Sequence, residues 1–153
     1  MPLSYDRILV AIDGSKEAEW AFKKAIGLAD RNDAELCLVN IIDTRALTMV
    51  GNANPDYAEG LRKSNQKMLD DYKQQAEAAG IQRVDTVVAV GFPKTAISRN
   101  VAKKFDADLI VCGATGMGPI EHFLLGSVSE HIVRTSRCDV LVVRTEEHAE
   151  ANS

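Results

Sequence analysis

Five short runs rich in branched aliphatic residues, at 8–12, 36–42, 84–90, 109–112 and 140–143, alternate with stretches whose apolar residues recur at helical spacing. No other feature constrains the fold as strongly. Strands joined through helical connections pair in parallel, because a parallel partner needs a crossover that a tight turn cannot supply. The runs are largely apolar rather than alternating, which calls for helices on both faces. The expected fold is a single open, doubly wound α/β sheet of five mostly parallel strands with helices on both sides and right-handed crossovers. No repeat or linker interrupts the 153 residues. Residues 1–145 therefore read as one domain and the polar stretch 146–153 as a tail that frays.

The helical stretches carry their own punctuation. Ser15 is placed to cap a helix over residues 16–31, in which Ala18, Ala21, Phe22, Ala25, Leu28 and Ala29 share a face. Residues 44–54, with Gly51 and two asparagines, read as a loop. Asn54 and Pro55 then have the form of an N-cap followed by proline at the first helical position. They open a long helix whose stripe runs through Tyr57, Leu61, Met68, Tyr72, Ala76 and Ala79 to a stop at Gly80. Pro93 opens another helix to about Phe105, and residues 127–135 form the last.

Composition narrows the function. A net charge of −4 gives no global basic footprint for nucleic acid. No apolar stretch reaches the roughly 20 residues of a membrane span, and the first residues lack the apolar region of a signal peptide. Cys37, Cys112 and Cys138 are widely spaced in apolar segments and form no metal or redox pattern. They read as reduced core residues of a cytoplasmic protein. The P-loop, the G-x-G-x-x-G of dinucleotide-binding folds, H-E-x-x-H and G-x-S-x-G are all missing. His122, His131 and His148 share no ligand spacing, so the chain alone is not expected to hold a metal.

Chemistry concentrates in the run GATGMGPIEHFLLGSVS at 113–129. It links the fourth strand to the last helix. Gly113, Gly116 and Gly118 come first, and Gly126 with Ser127 and Ser129 stands at the helix entry. Freed N–H groups at a helix N-terminus favour anions, and glycines let a backbone approach a ligand closely. Taken singly, Gly113 fits a strand-to-loop turn and Gly126 a helix entry. The loop after the first strand, Asp13-Gly14-Ser15, is the second unusual one. If the first and fourth strands are neighbours, the two loops face one crevice at the carboxyl ends of the strands. Asp13 there either caps the first helix beside Ser15, accepts from a ribose hydroxyl, or helps hold a phosphate-bound Mg²⁺. Thr115 and His122 read as loop residues rather than catalysts.

The spacing Gly113-x-x-Gly116, nine residues, then Gly126-Ser127 resembles the nucleotide-binding signature of the universal stress protein family, in its ATP-binding branch. The resemblance runs from Arg7 to Arg144 through ILVAIDGS (8–15), LCLVNIID (36–43), VVAVGFP (87–93), DLIVCGATGMG (108–118), LLGSVSEHIVR (124–134) and CDVLVVR (138–144). It implies the strand order 3-2-1-4-5. It also implies that Asp13 lies on the adenine–ribose side with Ala11 and Ile12 as floor, and that Ile41 offers its backbone to the adenine edge. Gly113 and Gly116 would sit near ribose and phosphate, and Gly126, Ser127, Val128 and Ser129 would hold the phosphates. Ser15, Ala114, Thr115 and Gly118 complete the candidate set. Two departures are Asn40, where the family often has histidine, and the small pair Ala114-Thr115.

The expected ligand is ATP, or else ADP or AMP, with Mg²⁺ or Mn²⁺ on the phosphates. No residue stands out as a γ-phosphate catalyst, which favours a stress or signalling protein acting by nucleotide occupancy and read by unidentified protein partners. A slow ATPase or nucleotide-transfer enzyme and a non-nucleotide interaction module are the alternatives. The last strand, Val140, Leu141, Val142 and Val143, is an apolar sheet edge that calls for a partner. A homodimer through that strand is the expectation, and the family resemblance points the same way.

Overall fold

The computed structural model describes residues 3–50, 54–114 and 125–145. Strand β1 (Arg7–Ala11) lies at the centre of the sheet because Ile8, Leu9 and Val10 have no exposed surface on either face. It is flanked by β2 (Glu35–Asp43) and β4 (Leu109–Gly113). Strands β3 (Val84–Gly91) and β5 (Asp139–Val143), with their partly exposed patterns, form the edges. The order is β3-β2-β1-β4-β5 with every pair parallel, as expected. Ile8 stands opposite both Leu36 and Leu109.

Alternation along each strand divides the core into two layers. Ile8, Val10, Ile12, Leu36 and Leu38 pack with α1 (Lys16–Asn32) and α3 (Pro55–Ala78). Leu9, Cys37, Val39, Ile110 and Cys112 face the other way, against Ile97, Ala102, Phe105 and Ile132. Full burial of each such aliphatic side chain contributes about 1.5–3 kcal/mol. Helix α1 starts where Ser15 Oγ accepts from the N–H of Ala18, and ends at Asp33 in the left-handed region (φ 54°). Phe22 of α1 meets Tyr72 of α3 edge-on at 4.7 Å, locking the two helices over the first layer.

Two local expectations are corrected. Residues 44–54 are not simply a loop, since α2 (Thr44–Val50) begins directly after β2. The cause is Asp43, whose Oδ1 accepts from the Arg45 N–H at 2.9 Å and so caps the turn. The β-branched Thr44 and Thr48 hid this helix, because such residues weaken helical signals. The helix expected from Pro93 to Phe105 is three pieces: α4 (Pro93–Thr95), a π-helical stretch (Ala96–Val101) and α5 (Ala102–Phe105). The Ala102 N–H donates to Ile97 C=O, the wider bond that accommodates one extra residue. The last helix, α6 (Ser127–Thr135), has the expected bounds. The tail 146–153 lies outside the described residues.

Candidate functional site

β1 and β4 are adjacent, but their chains leave in opposite directions. β1 turns through Asp13, Gly14 and Ser15 into α1 on the first layer, while α6, which follows β4, covers the second. Their separation opens a cleft of about 450 Å³ at the carboxyl ends of the strands, where the strand order reverses. Ala11, Ile12, Asp13, Ser15, Ile41, Gly113, Gly126, Ser127, Val128 and Ser129 all line it. Of the remaining sequence candidates, Thr115, Gly116 and Gly118 lie outside the described residues. Ala114 is buried and does not line the cleft. Its N–H donates to Val143 C=O and its C=O accepts from the Gly126 N–H, both at 2.8 Å. Ala114 thus ties the entry of α6 to β4 and β5.

At one end of the cleft stands α6. Its first internal bond runs from the Glu130 N–H to Gly126 C=O at 2.9 Å. The N–H groups of Ser127, Val128 and Ser129 therefore have no acceptor within the helix, and no side chain caps Gly126. Ser127 is exposed. The buried Ser129 donates its hydroxyl proton to Gly113 C=O, so this side chain pins α6 to β4. Gly113 itself answers to packing: a Cβ there would stand 2.7 Å from Glu17 Cβ and 3.0 Å from the Glu17 carbonyl carbon.

At the other end stands β2. The Ile12 N–H donates to Val39 C=O at 2.8 Å, so Val39 turns its main-chain groups toward β1. Two residues on, Ile41 must do the same. The β1–β2 register has already ended at Ala11 opposite Val39, so by this parity Ile41 N–H and C=O point past the end of β1 at the cleft, while Ala89 of β3 stays in register on the other side. The buried Asn40 bridges its neighbours. It donates to Ile12 C=O and accepts from Asn65 Nδ2 of α3, both at 2.9 Å. The departure at Asn40 therefore braces the floor of the cleft from behind.

The electrostatics are distinctive. Among the described lining residues the charged groups are the carboxylates Asp13 and Asp43, with no lysine or arginine. Asp13 accepts from the Ser15 N–H at 2.9 Å, rigidifying the turn whose Gly14 has φ 88°. Arg45, hydrogen-bonded to Asp43, holds that carboxyl below its ordinary range. Burial pushes the Cys112 thiol up to about 11, so it lines the cleft as a neutral, weakly nucleophilic group. Among the described residues no three ligating side chains converge on a metal position. No helix among them is long and apolar enough to cross a membrane. Sequence reasoning missed Ala18, Val39, Asp43, Pro93, Ile97, Cys112 and Ile132 as lining residues. Most of these are core positions of the second layer, indistinguishable in sequence from packing residues. Asp43, a charge closing an apolar strand run, was the one visible signal.

Fold and cleft together define an open-sheet α/β protein with a cleft at a topological switch point. The chain belongs to the universal stress protein family, whose family profile matches residues 4–144. It is 47% identical over 148 residues to SERP1273 of Staphylococcus epidermidis, a relative named for that family, covering 97% of this chain and 89% of the relative. Among solved structures it resembles the hypothetical protein MJ0577, with a TM-score of 0.83, 28% identity and coverage of 94% and 98% of the two chains. It resembles universal stress protein UspA from Lactobacillus plantarum with a TM-score of 0.77, 28% identity and coverage of 94% and 100%. A universal stress protein in complex with cAMP matches with a TM-score of 0.66 and 28% identity, over 92% and 97% of the chains.

Proposed function

We propose that the cleft binds an adenine nucleotide, ATP above all, and that the protein acts through occupancy of that site. The observation that carries this reading is that, among the described residues, the α6 N-terminal N–H groups have no acceptor within their helix and Ile41 has no partner on β1, and both line one cleft. The α6 N-terminus offers N–H donors suited to phosphate oxygens. Ile41 offers the adjacent donor and acceptor that an adenine edge requires. The solved relative in complex with cAMP gives the same direction, since its ligand is an adenine nucleotide. With carboxylates as the charged lining groups among the described residues, the phosphates would bring a counter-cation. Mg²⁺ or Mn²⁺ would be held there by phosphate oxygens, with Asp13 as the carboxylate available to it on the β1 side. The lack of a lysine or arginine among the described lining residues favours binding over turnover.

The test is mass spectrometry of the small molecules released on denaturing freshly purified protein, beside a thermal melt with and without Mg-ATP. Ligand at 100 times its Kd stabilises by about 2.7 kcal/mol, a rise of roughly 5–10 °C for a domain of this size. No nucleotide and no rise would refute the reading.

We also propose a homodimer through β5, on separate grounds. That strand is a sheet edge, and Leu141 on it and Val133 on α6 are large exposed apolar side chains. Pairing two β5 edges about a two-fold axis satisfies both. Sedimentation as a monomer at micromolar concentration would refute it. Three free cysteines, two of them buried, fit a reducing cytoplasm.

A further inference from the structure

Asp43 stands at the β2 end of the cleft, away from α6. Val39, Ile41 and Asp43 alternate onto one face of the sheet, the face that Ile97 and Ile132 cover, and all five residues line the cleft. α6 follows β4, and β2 lies two strands from β4, about 9–10 Å at the usual strand spacing. That is the scale on which a nucleotide separates its base from its phosphates. Asp43 therefore stands beside Ile41 where a base would lie.

Its carboxylate is nearly saturated. Oδ1 accepts from the Arg45 N–H at 2.9 Å and from Arg45 Nε at 3.1 Å, and Oδ2 accepts from Arg45 Nη2 at 2.8 Å. A carboxylate offers about four acceptor positions. Both positions on Oδ1 are used and one on Oδ2 remains. Asp43 lines the cleft, and the Arg45 guanidinium balances its charge, so the pair keeps one acceptor position open without the net repulsion that a lone carboxylate would exert on phosphates. It also keeps Asp43 ionised, unable to donate.

We propose that Asp43 is a base-selecting residue: its open Oδ2 position accepts one N–H of the exocyclic amine of a 6-aminopurine, while Ile41 C=O takes the other. Arg45 acts through it as a positioning residue. This rests on the nucleotide reading and adds a reason for adenine. A 6-oxopurine would set its own acceptor against a carboxylate, and a site built to receive a donor rejects an analogue that lacks it.

The experiment is calorimetric titration of the full chain with Mg-ATP, Mg-ITP and the Mg complex of purine riboside triphosphate, which has no substituent at position 6. The wild-type chain should bind ATP at least about tenfold more tightly than ITP, and purine riboside triphosphate more weakly than ATP. In Asp43→Asn the amide oxygen takes the Oδ1 position, where the Arg45 N–H and Nε hold it, and the amide NH₂ takes the place of Oδ2 and gives up the Nη2 bond. A donor then replaces the acceptor, and the ATP:ITP ratio should fall by about tenfold or invert. A ratio unchanged by Asp43→Asn overturns the inference and leaves the nucleotide reading intact. The wild-type comparison with purine riboside triphosphate does not depend on the variant's folding, and equal affinities there also overturn it. If the wild-type chain binds none of the three, the nucleotide reading falls and this inference with it.

Discussion

Two glycine-to-alanine substitutions with opposite expected signs separate packing from ligand approach at Gly113. A Cβ at Gly113 would lie 2.7 Å from Glu17 Cβ and 3.0–3.1 Å from the Glu17 carbonyl group. Most of that obstacle is backbone in the first turn of α1, and Ser15 anchors the turn by capping it at Ala18. Neither side can yield by rotating a side chain, so α1 must move off β4. Overpacking of this kind costs about 1–3 kcal/mol, which lowers Tm by roughly 2–12 °C in a domain of this size. Gly60, on the exposed surface of α3, has nothing within 4 Å of an added Cβ. Gly60→Ala gains helix propensity and should stabilise by about 0.5–1 kcal/mol. Thermal melts of both variants without nucleotide, followed by Mg-ATP titration, form the assay. A Gly113→Ala melt equal to or above wild type, with Gly60→Ala raised as expected, would refute the packing argument. Loss of ATP affinity without loss of stability would assign the glycine to ligand approach instead.

Asn40→Leu strips the Ile12 carbonyl of its donor and Asn65 of its acceptor in a buried setting. The expected loss is about 1–3 kcal/mol by urea denaturation, and Asn65→Ala, which removes a half-buried partner, should cost less. An unchanged midpoint for Asn40→Leu would show that the bridge contributes nothing. Glu35 is held below its ordinary value of 4.5 by Arg83, with Arg7 adding to the effect. Its folded pKa is depressed, so its contribution is fully present above pH 4.5 and fades as pH falls through the folded value. The stability gap between wild type and Glu35→Gln should therefore narrow on acidification below pH 4.5, and a gap that widens there would contradict the assignment.

The two loops that meet at the cleft were legible because their signals are local. Ser15 and Asp13 precede a helical stripe, and Gly126-Ser127 opens another; caps and helix entries need only neighbours in sequence. Asp43 reads in sequence only as the polar end of a strand run. Its role as helix cap, and its place in the cleft, depend on where β1 stops and on which face the strand parity selects. The π-helical stretch at Ala96–Val101 was illegible for a related reason. Its apolar residues keep helical spacing, and the extra residue is accommodated in the bonding rather than in the pattern.

The sequence by itself determined the alternation of strand and helix, and with it a parallel sheet covered on both faces, because burial on both sides demands uninterrupted apolar runs. It also determined the helix entries, through the residues that satisfy or expose N–H groups. Local pattern left the placement of β1 beside β4 open and the family resemblance implied it; the tertiary structure decided it, along with the separation of their chains into opposite layers. It alone turned Ile41 toward an absent strand neighbour, spent the Ser129 hydroxyl on Gly113, and made Gly113 answer to Glu17. The reason is that each of these facts joins residues far apart in the chain. Their distances are set by packing of the whole core, which no local propensity encodes.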